Sequence, residues 1–250
     1  QSKNFSKYQN LGNPITAVKR LSEWASDELI YLDISKDDSY DLNRSDQGYP
    51  NRKTFLEIIS DVSKVSFMPT TVGGKINSIS DIEYRLKLGA DKISINTKAL
   101  EDPEFVKLSS KEFGSQCIVV SVDFIKNGEN YFIFSHKKNK ILEIDICDYL
   151  KKIEQYGVGE ILLNSVSNDG QGNGYDIDFF KKIQGLIKVP LIGCGGAGDW
   201  YDMYDLFKET EIDAVAAANI FHYKDQSVFY AKKFLYEKNV NVRKPDLLKI

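Results

Sequence analysis

Seven continuous apolar runs punctuate the chain at fairly even intervals. They are ELIYLDI (28–34), FMPTTV (67–72), KISINT (92–97), CIVVSVDF (117–124), EILLNS (160–165), PLIGCG (190–195) and AVAAAN (214–219). Between them lie amphipathic stretches of helical period, such as ITAVKRLSEW, SDIEYRLKLG and MYDLFKET. Apolar strands that alternate with such helices predict an α/β fold, a parallel sheet covered by helices. A further run, NYFIFSH (130–136), predicts a hairpin with the strand before it, turning at Asn127-Gly128.

A closed (β/α)8 TIM barrel needs eight strands. The expectation is therefore such a barrel with its first strand placed before Gln1 and missing from this chain. An open doubly wound sheet is the alternative. An internal repeat favours the barrel. Gly74 and Gly196 are each followed 17 positions later by an Asp that opens a strand, Asp91 and Asp213. Each is preceded by a Pro that starts a strand, Pro69 and Pro190. DELIYLDIS also resembles GEILLNSVS, pairing Glu28 with Glu160. Two similar half-barrels explain this economically.

A chain of 250 residues suits one such barrel, so residues 1–250 are read as a single domain. Composition narrows the partners. A net charge of −3 gives no general grip on nucleic acid. No apolar run approaches the roughly 20 residues of a membrane span. Cys117, Cys147 and Cys194 are an odd set with no close pair, which reads as reduced thiols in a cytoplasmic protein. His136 and His222 stand in no arrangement with metal-ligand spacing, so neither a metal site nor a cofactor is expected. The Lys runs HKKNK and FVKLSSKEF read as solvated surface, and the tail NVNVRKPDLLKI as a segment crossing the barrel surface.

The C-terminal strand ends of such a barrel carry its chemistry. Glycine there lets backbone N–H groups approach a phosphate, and a following helix start adds a favourable dipole. One cradle would use Gly74, Asn96 and Thr97, the other Gly170, Gly196, Ala197 and Asn219. The expectation is a ligand with two phosphates, one per half. The competing reading is turn glycines and strand-end caps without a ligand. Asp123 ends the apolar run IVVSVD, so its carboxylate points into the mouth as a general acid or base, or else caps the next turn. Asp33 sits similarly, with helix capping as a competing role. Asp169, in NDGQGNGYD, is a phosphate-loop residue or a turn former. Glu28, Lys92 and Glu160 begin their strands at the opposite face, where they either meet solvent or form a salt-bridged plug.

Together TVGGKI, ADKISINT, FGSQCIVVSVD, GEILLNSVSNDG, GYD, IGCGGAG and AANIFH closely resemble the cyclase subunit of imidazole glycerol phosphate synthase, the HisF family. The resemblance runs from about residue 11 to residue 242. It implies a (β/α)8 barrel that receives ammonia from a HisH-type glutaminase and delivers it to a ligand with two phosphates. It further implies that Asp123 is one of two catalytic aspartates. Gly74, Asn96 and Thr97 would bind one phosphate; Asp169, Gly170, Gly196, Ala197, Ala218 and Asn219 would bind the other. Glu28, Lys92 and Glu160 would belong to a charged ammonia gate, and Asp91 would face the glutaminase.

The chain departs from the family pattern in several places. The second catalytic aspartate and a fourth gate residue belong to the first strand. The segment SKDDSYDLNRSDQGYPNRKTF is longer than usual, on the face where acceptor choice would be made. SHKKNKILEID lacks the expected Gly- and Thr-containing turn, Asn164 replaces a Thr, NDG replaces RDG and Asn219 replaces a Ser. These changes resemble a HisF-like branch in surface-glycan biosynthesis. That branch works with a HisH-like glutaminase and an N-sugar amidotransferase that turns a sugar acetamido group into an acetamidino group. Sugar amidation is therefore the main expectation. The histidine-pathway cyclase, a conduit without chemistry of its own and a sugar-phosphate isomerase are the rivals.

Overall fold

Six of the described helices start where a short polar side chain accepts from a free backbone N–H. The computed structural model describes residues 2–3, 7–8, 13–34, 54–223 and 225–247. Strands β1 (Ser2–Lys3) and β2 (Lys7–Tyr8) pair with each other as a short antiparallel ribbon. Then come α1 (Pro14–Glu23), β3 (Leu29–Leu32), α2 (Phe55–Ser63), β4 (Thr70–Gly73), α3 (Ile79–Lys87) and β5 (Lys92–Ile95). Next follow α4 (Thr97–Glu101), α5 (Glu104–Phe113), β6 (Ile118–Asn127), β7 (Asn130–Ser135), β8 (Lys140–Asp145), α6 (Ile146–Gln155) and β9 (Glu160–Ser165). The chain continues through α7 (Ile177–Ile183), β10 (Leu191–Cys194), α8 (Trp200–Glu209), β11 (Ala214–Ala216), α9 (Ile220–Tyr223) and α10 (Ser227–Glu237). Asn13 caps α1 with Pro14 at its first position, and Thr54 caps α2. Asp145 and Asp176 cap α6 and α7 in the same way.

The main path of the sheet runs β11-β10-β9-β6-β5-β4-β3, every neighbouring pair parallel. Parallel strands alternating with helices are the plan of a (β/α)8 barrel. Among the described residues the parallel strands are seven. The central strand, β6, is buried without a break from Ile118 to Phe124, as a strand covered on both faces must be. Its Val120, Val122 and Phe124 share one core with Ile93, Ile161, Leu163, Phe179 and Phe180. Each large side chain so buried contributes about 1.5–3 kcal/mol.

The helical layer brings the first and last described parts of the path together. Val228 of α10 lies in one apolar cluster with Val18, Leu21 and Trp24 beside α1 and Val62 of α2. The buried Lys232 ammonium donates to the Ala25 carbonyl at 2.9 Å and to Asp27 Oδ1 at 2.8 Å. The tail follows the same path, with Arg243 Nε 3.1 Å from Asp27 Oδ1.

The repeat read from the sequence is present in the contacts. Thr70 N–H donates to Asp91 Oδ2 at 2.8 Å, and Leu191 N–H donates to Asp213 Oδ2 at 2.8 Å. Leu29 N–H donates to the Pro69 carbonyl, and Ile161 N–H to the Pro190 carbonyl, both at 3.0 Å. Capping boxes open the corresponding helices, Ser78 with Asp81 for α3 and Asp199 with Asp202 for α8.

Boundaries differ from the expectation at specific places. β4 starts at Thr70 and not at Phe67, which is 72% exposed. Pro69 carries no N–H to enter the ladder and gives only its carbonyl. Cys117 lies in a short 3-10 turn, Ser115–Cys117, outside the strand. The hairpin turn is Gly128-Glu129, because Asn127 and Asn130 still pair. β8 is an unexpected third strand; its positions are mostly exposed, so it leaves little apolar signal. The segment from residue 35 to 53, where acceptor choice was expected, lies outside the described residues. No helix among the described residues is long and apolar enough to cross a membrane.

Candidate functional site

At the N-terminal edge of the sheet, Lys92 opens β5 and stands between two glutamates. Its Nζ donates to Glu28 at 3.0 and 2.9 Å and to Glu160 Oε1 at 2.5 Å. The Lys92 and Glu160 side chains are 15% and 20% exposed, Glu28 42%. Burial pulls the Lys92 pKa down, but the hydrogen bonds and charges of Glu160 and Glu28 outweigh it, so the ammonium is held above its ordinary range. The residues expected either to meet solvent or to form a plug thus form one salt-bridged group.

At the opposite end, Asp123 of β6 is buried at 4% exposure. Donors from the two flanking strands reach its carboxylate. Asn96, just past β5, donates from Nδ2 to Oδ2 at 2.6 Å. Asn164 of β9 donates from Nδ2 to Oδ1 at 3.0 Å. The strand register that sets Asp123 opposite Asn164 places this second pair. His136 Nε2 approaches Oδ2 to 3.3 Å from the end of β7. Asn164 Oδ1 is buried and has no hydrogen-bond partner among the described residues. The Asn96 side chain is thus turned toward the Asp123 carboxylate.

The remaining strand-end residues fall into two groups. In the first half, Gly74 has φ +95°, and a Cβ there would stand 2.3 Å from the Asp33 carbonyl oxygen. The buried Arg85 donates to the Gly74 carbonyl at 3.0 Å and fixes this turn. Lys75 lies 3.8 Å from the Asp33 carboxylate. Thr97 begins α4 directly after Asn96. In the second half, Gly196 has φ +115°, and a Cβ would stand 2.0 Å from the Gly174 carbonyl oxygen. Gly174 N–H donates to the Gly196 carbonyl at 2.9 Å, and Asn168 Nδ2 to the Gly174 carbonyl at 3.0 Å. These bonds fold the loop that holds Asp169 and Gly170 against the Gly196-Ala197 turn. Ala218 and Asn219 directly precede α9, as Asn96 directly precedes α4. The Cys194 thiol, at the end of β10, is pushed up to about 12 by burial first and then by the charges of Asp169 and Asp123.

Asp91 is exposed at the other edge, beside Lys92, with one carboxylate oxygen held by Thr70 N–H. The role read for it, facing a partner, thus falls on a residue that also locks its own strand. Sequence reasoning weighed His136 only as a metal ligand and Asn164 only as a departure from a pattern. The structure brings both to Asp123. A parallel register of β6 with β9 was a sufficient signal for Asn164. For His136 the signal is the hairpin turn, which falls one residue later than the Asn127-Gly128 pair suggests.

Residues 1–227 match the family described as histidine biosynthesis protein. The chain is 39% identical over 243 residues to a Vibrio vulnificus (strain YJ016) protein provisionally named imidazole glycerol phosphate synthase subunit hisF2, covering 97% of this chain and 85% of that one. It is 36% identical over 240 residues to the imidazole glycerol phosphate synthase subunit HisF of Dehalococcoides mccartyi (strain BAV1), covering 96% and 90%. It is also 36% identical over 255 residues to the protein of that name from Nitrosopumilus maritimus (strain SCM1), covering 96% and 92%.

Proposed function

The chain belongs to the histidine biosynthesis protein family, in its HisF line, and from that membership we propose that it is the cyclase-type subunit of an imidazole glycerol phosphate synthase. In this reading a separate glutaminase supplies ammonia at the N-terminal edge of the barrel. The Glu28–Lys92–Glu160 group acts there as a charged gate, with Asp91 at the partner surface. At the other end the strand-end turns hold a small ligand by two phosphates. Gly74, Asn96 and Thr97 serve one; Asp169, Gly170, Gly196, Ala197, Ala218 and Asn219 serve the other. Asp123 stands between the two groups and moves the proton as ammonia adds and the ring closes. No membrane, nucleic acid or metal enters the scheme.

The observation that carries the reading is the carboxylate of Asp123, buried at 4% exposure on the central strand and held by donors from both neighbouring strands. A buried, fixed carboxylate at the C-terminal end of a barrel strand is suited to acid–base work. The likeness of the two flanking turn systems supports a ligand with two similar ends.

The narrower expectation, delivery of ammonia to a sugar through an N-sugar amidotransferase, gains nothing from the names of the relatives above. It remains the alternative outcome of one assay. Purified protein is given ammonium and the biosynthetic precursor of imidazole glycerol phosphate. Formation of imidazole glycerol phosphate, reduced about 100-fold or more by Asp123→Asn, supports the cyclase reading. Absence of product at any ammonium concentration overturns it and returns the sugar acceptor as the leading reading.

A further inference from the structure

Asp123 is approached from three directions by side chains that the sequence does not place near one another. Two are amides, Asn96 at 2.6 Å and Asn164 at 3.0 Å. The third is the imidazole of His136, whose Nε2 lies 3.3 Å from Oδ2. The exposure of the pair is asymmetric: 5% for the Asp123 side chain and 36% for His136. The carboxylate is thus enclosed, while the ring stands between it and solvent.

The imidazole is held there by structure on each side. The parallel pairing of β6 with β5 ends at Val120, and from Phe124 onward β6 pairs antiparallel with β7, Phe124 opposite Ile133. β7 therefore returns toward the end of β5 and brings His136 back over the carboxylate. Tyr131 Oη donates to Asp176 Oδ1 at 2.8 Å and ties the outer part of the hairpin to the start of α7. Phe134 meets the His136 ring edge-on, with centroids 5.0 Å apart. Asn139 N–H donates to the His136 carbonyl at 3.2 Å, closing the turn into β8. Lys137 pairs with Glu101 at 2.8 Å and anchors that turn on α4. A side chain so placed costs little further ordering when a ligand arrives.

The two amides orient the carboxylate from its flanking strands, and the imidazole adds a third contact from the side nearer solvent. Resting on the reading of Asp123 above, we propose that His136 is a positioning residue for that carboxylate. Its Nε2 completes a three-sided grip that fixes the rotamer of Asp123 and directs the remaining lone pairs at the acceptor. A contact of 3.3 Å is long for a full hydrogen bond, and contacts of this kind tighten when a reacting molecule is bound. A one-ångström misplacement of the carboxylate costs about 100-fold in rate.

The test uses two independent readouts on the full chain. In the ammonium-dependent assay, His136→Ala lowers kcat about 10- to 100-fold and leaves KM for the phosphorylated precursor within about twofold. His136→Gln, which keeps a donor, recovers most of the loss. A fall in KM affinity without a fall in kcat, or equal loss in both variants, overturns the proposal. The second readout does not require turnover. The chain contains two histidines, so ring nitrogen NMR with His222→Asn as the assignment variant isolates His136. Its Nε2–H signal moves when the carboxylate partner is removed in Asp123→Ala. An unchanged Nε2–H signal overturns the proposal even if the enzyme is active. If the parent forms no imidazole glycerol phosphate, the functional reading fails, and the NMR result still decides the His136–Asp123 contact.

Discussion

Asp213 and Leu191 hold each other by two hydrogen bonds: Leu191 N–H donates to Asp213 Oδ2 at 2.8 Å, and Asp213 N–H donates to the Leu191 carbonyl at 3.2 Å. Asp91 and Thr70 do the same in the first half, at 2.8 and 2.9 Å. Each Asp thus locks the start of its own strand to the start of the strand before it. Asp91→Ala and Asp213→Ala should each cost about 1 kcal/mol, the size of one such bond at an exposed edge. The two pairs share no partner, so the double variant should lose the sum within about 0.5 kcal/mol. Urea unfolding of the three variants checks this, and a strongly non-additive result would mean that the halves do not act as separate units.

The glycine at the second turn is held by steric necessity. Gly196 has φ +115°, and an added Cβ would meet the Gly174 carbonyl oxygen at 2.0 Å. Gly128, in the hairpin turn, has φ +61° and open space around it. Both replacements carry the backbone cost of a positive φ, but only the first carries a backbone collision. Gly196→Ala should cost more than about 3 kcal/mol, against roughly 1 kcal/mol for Gly128→Ala. Thermal melts of both variants check the contrast. Equal losses would show that the Gly196 turn relaxes freely.

The fold was legible because the dominant signals are local. A continuous apolar run such as IVVSV can be buried on both faces in only a few ways, and its alternation with amphipathic helices selects the parallel sheet. The spacing from Gly74 to Asp91 and from Gly196 to Asp213 also had a local cause, the strand-locking bonds just described. The surroundings of Asp123 were less legible, because they depend on register between distant segments. Asn164 meets it through strand pairing across 41 positions, and Asn96 reaches it from a residue read as a phosphate ligand. β8 escaped notice because KILEID is largely exposed and so carries no burial pattern. Lys92 between Glu28 and Glu160 was visible as three charges, but charge alone does not say whether side chains meet solvent or one another.

The Lys92 group should show itself in alkaline solution. Its folded pKa is raised above the ordinary 10.5, since the glutamate contacts outweigh the burial that opposes them. The stability this contributes is fully present below the ordinary lysine value. It is lost as pH rises through the folded value, where both states release the proton. Glu28 is 42% exposed and solvent screens that side of the group. Lys92→Met should therefore cost only about 1 kcal/mol at neutral pH. The variant should also lose less than the parent between about pH 10 and 12. Unfolding midpoints across that range check both statements, and identical alkaline slopes would remove the ion group as a source of stability.

His222 supplies the opposite sign on the acid side. It lies at α9, half-buried, with Nδ1 buried and unpaired among the described residues. Burial first, and then the positive charge of Arg20, hold its pKa below the ordinary 6.5. In the interval between the folded and unfolded values the unfolded chain binds a proton that the folded chain refuses. Stability is then highest above the unfolded value and falls as pH drops through that interval, after which this group adds no further change. Carboxylates also begin to titrate toward its acid end, so the comparison must be between variants. His222→Asn will shift stability at every pH by a constant amount from altered packing. It should nevertheless remove part of the fall seen between about pH 7.5 and 5. Urea midpoints of parent and variant at matched ionic strength measure the difference. A parent curve that falls no more steeply than the variant over that interval would show that the His222 ring takes up its proton as readily in the folded barrel as in the unfolded chain.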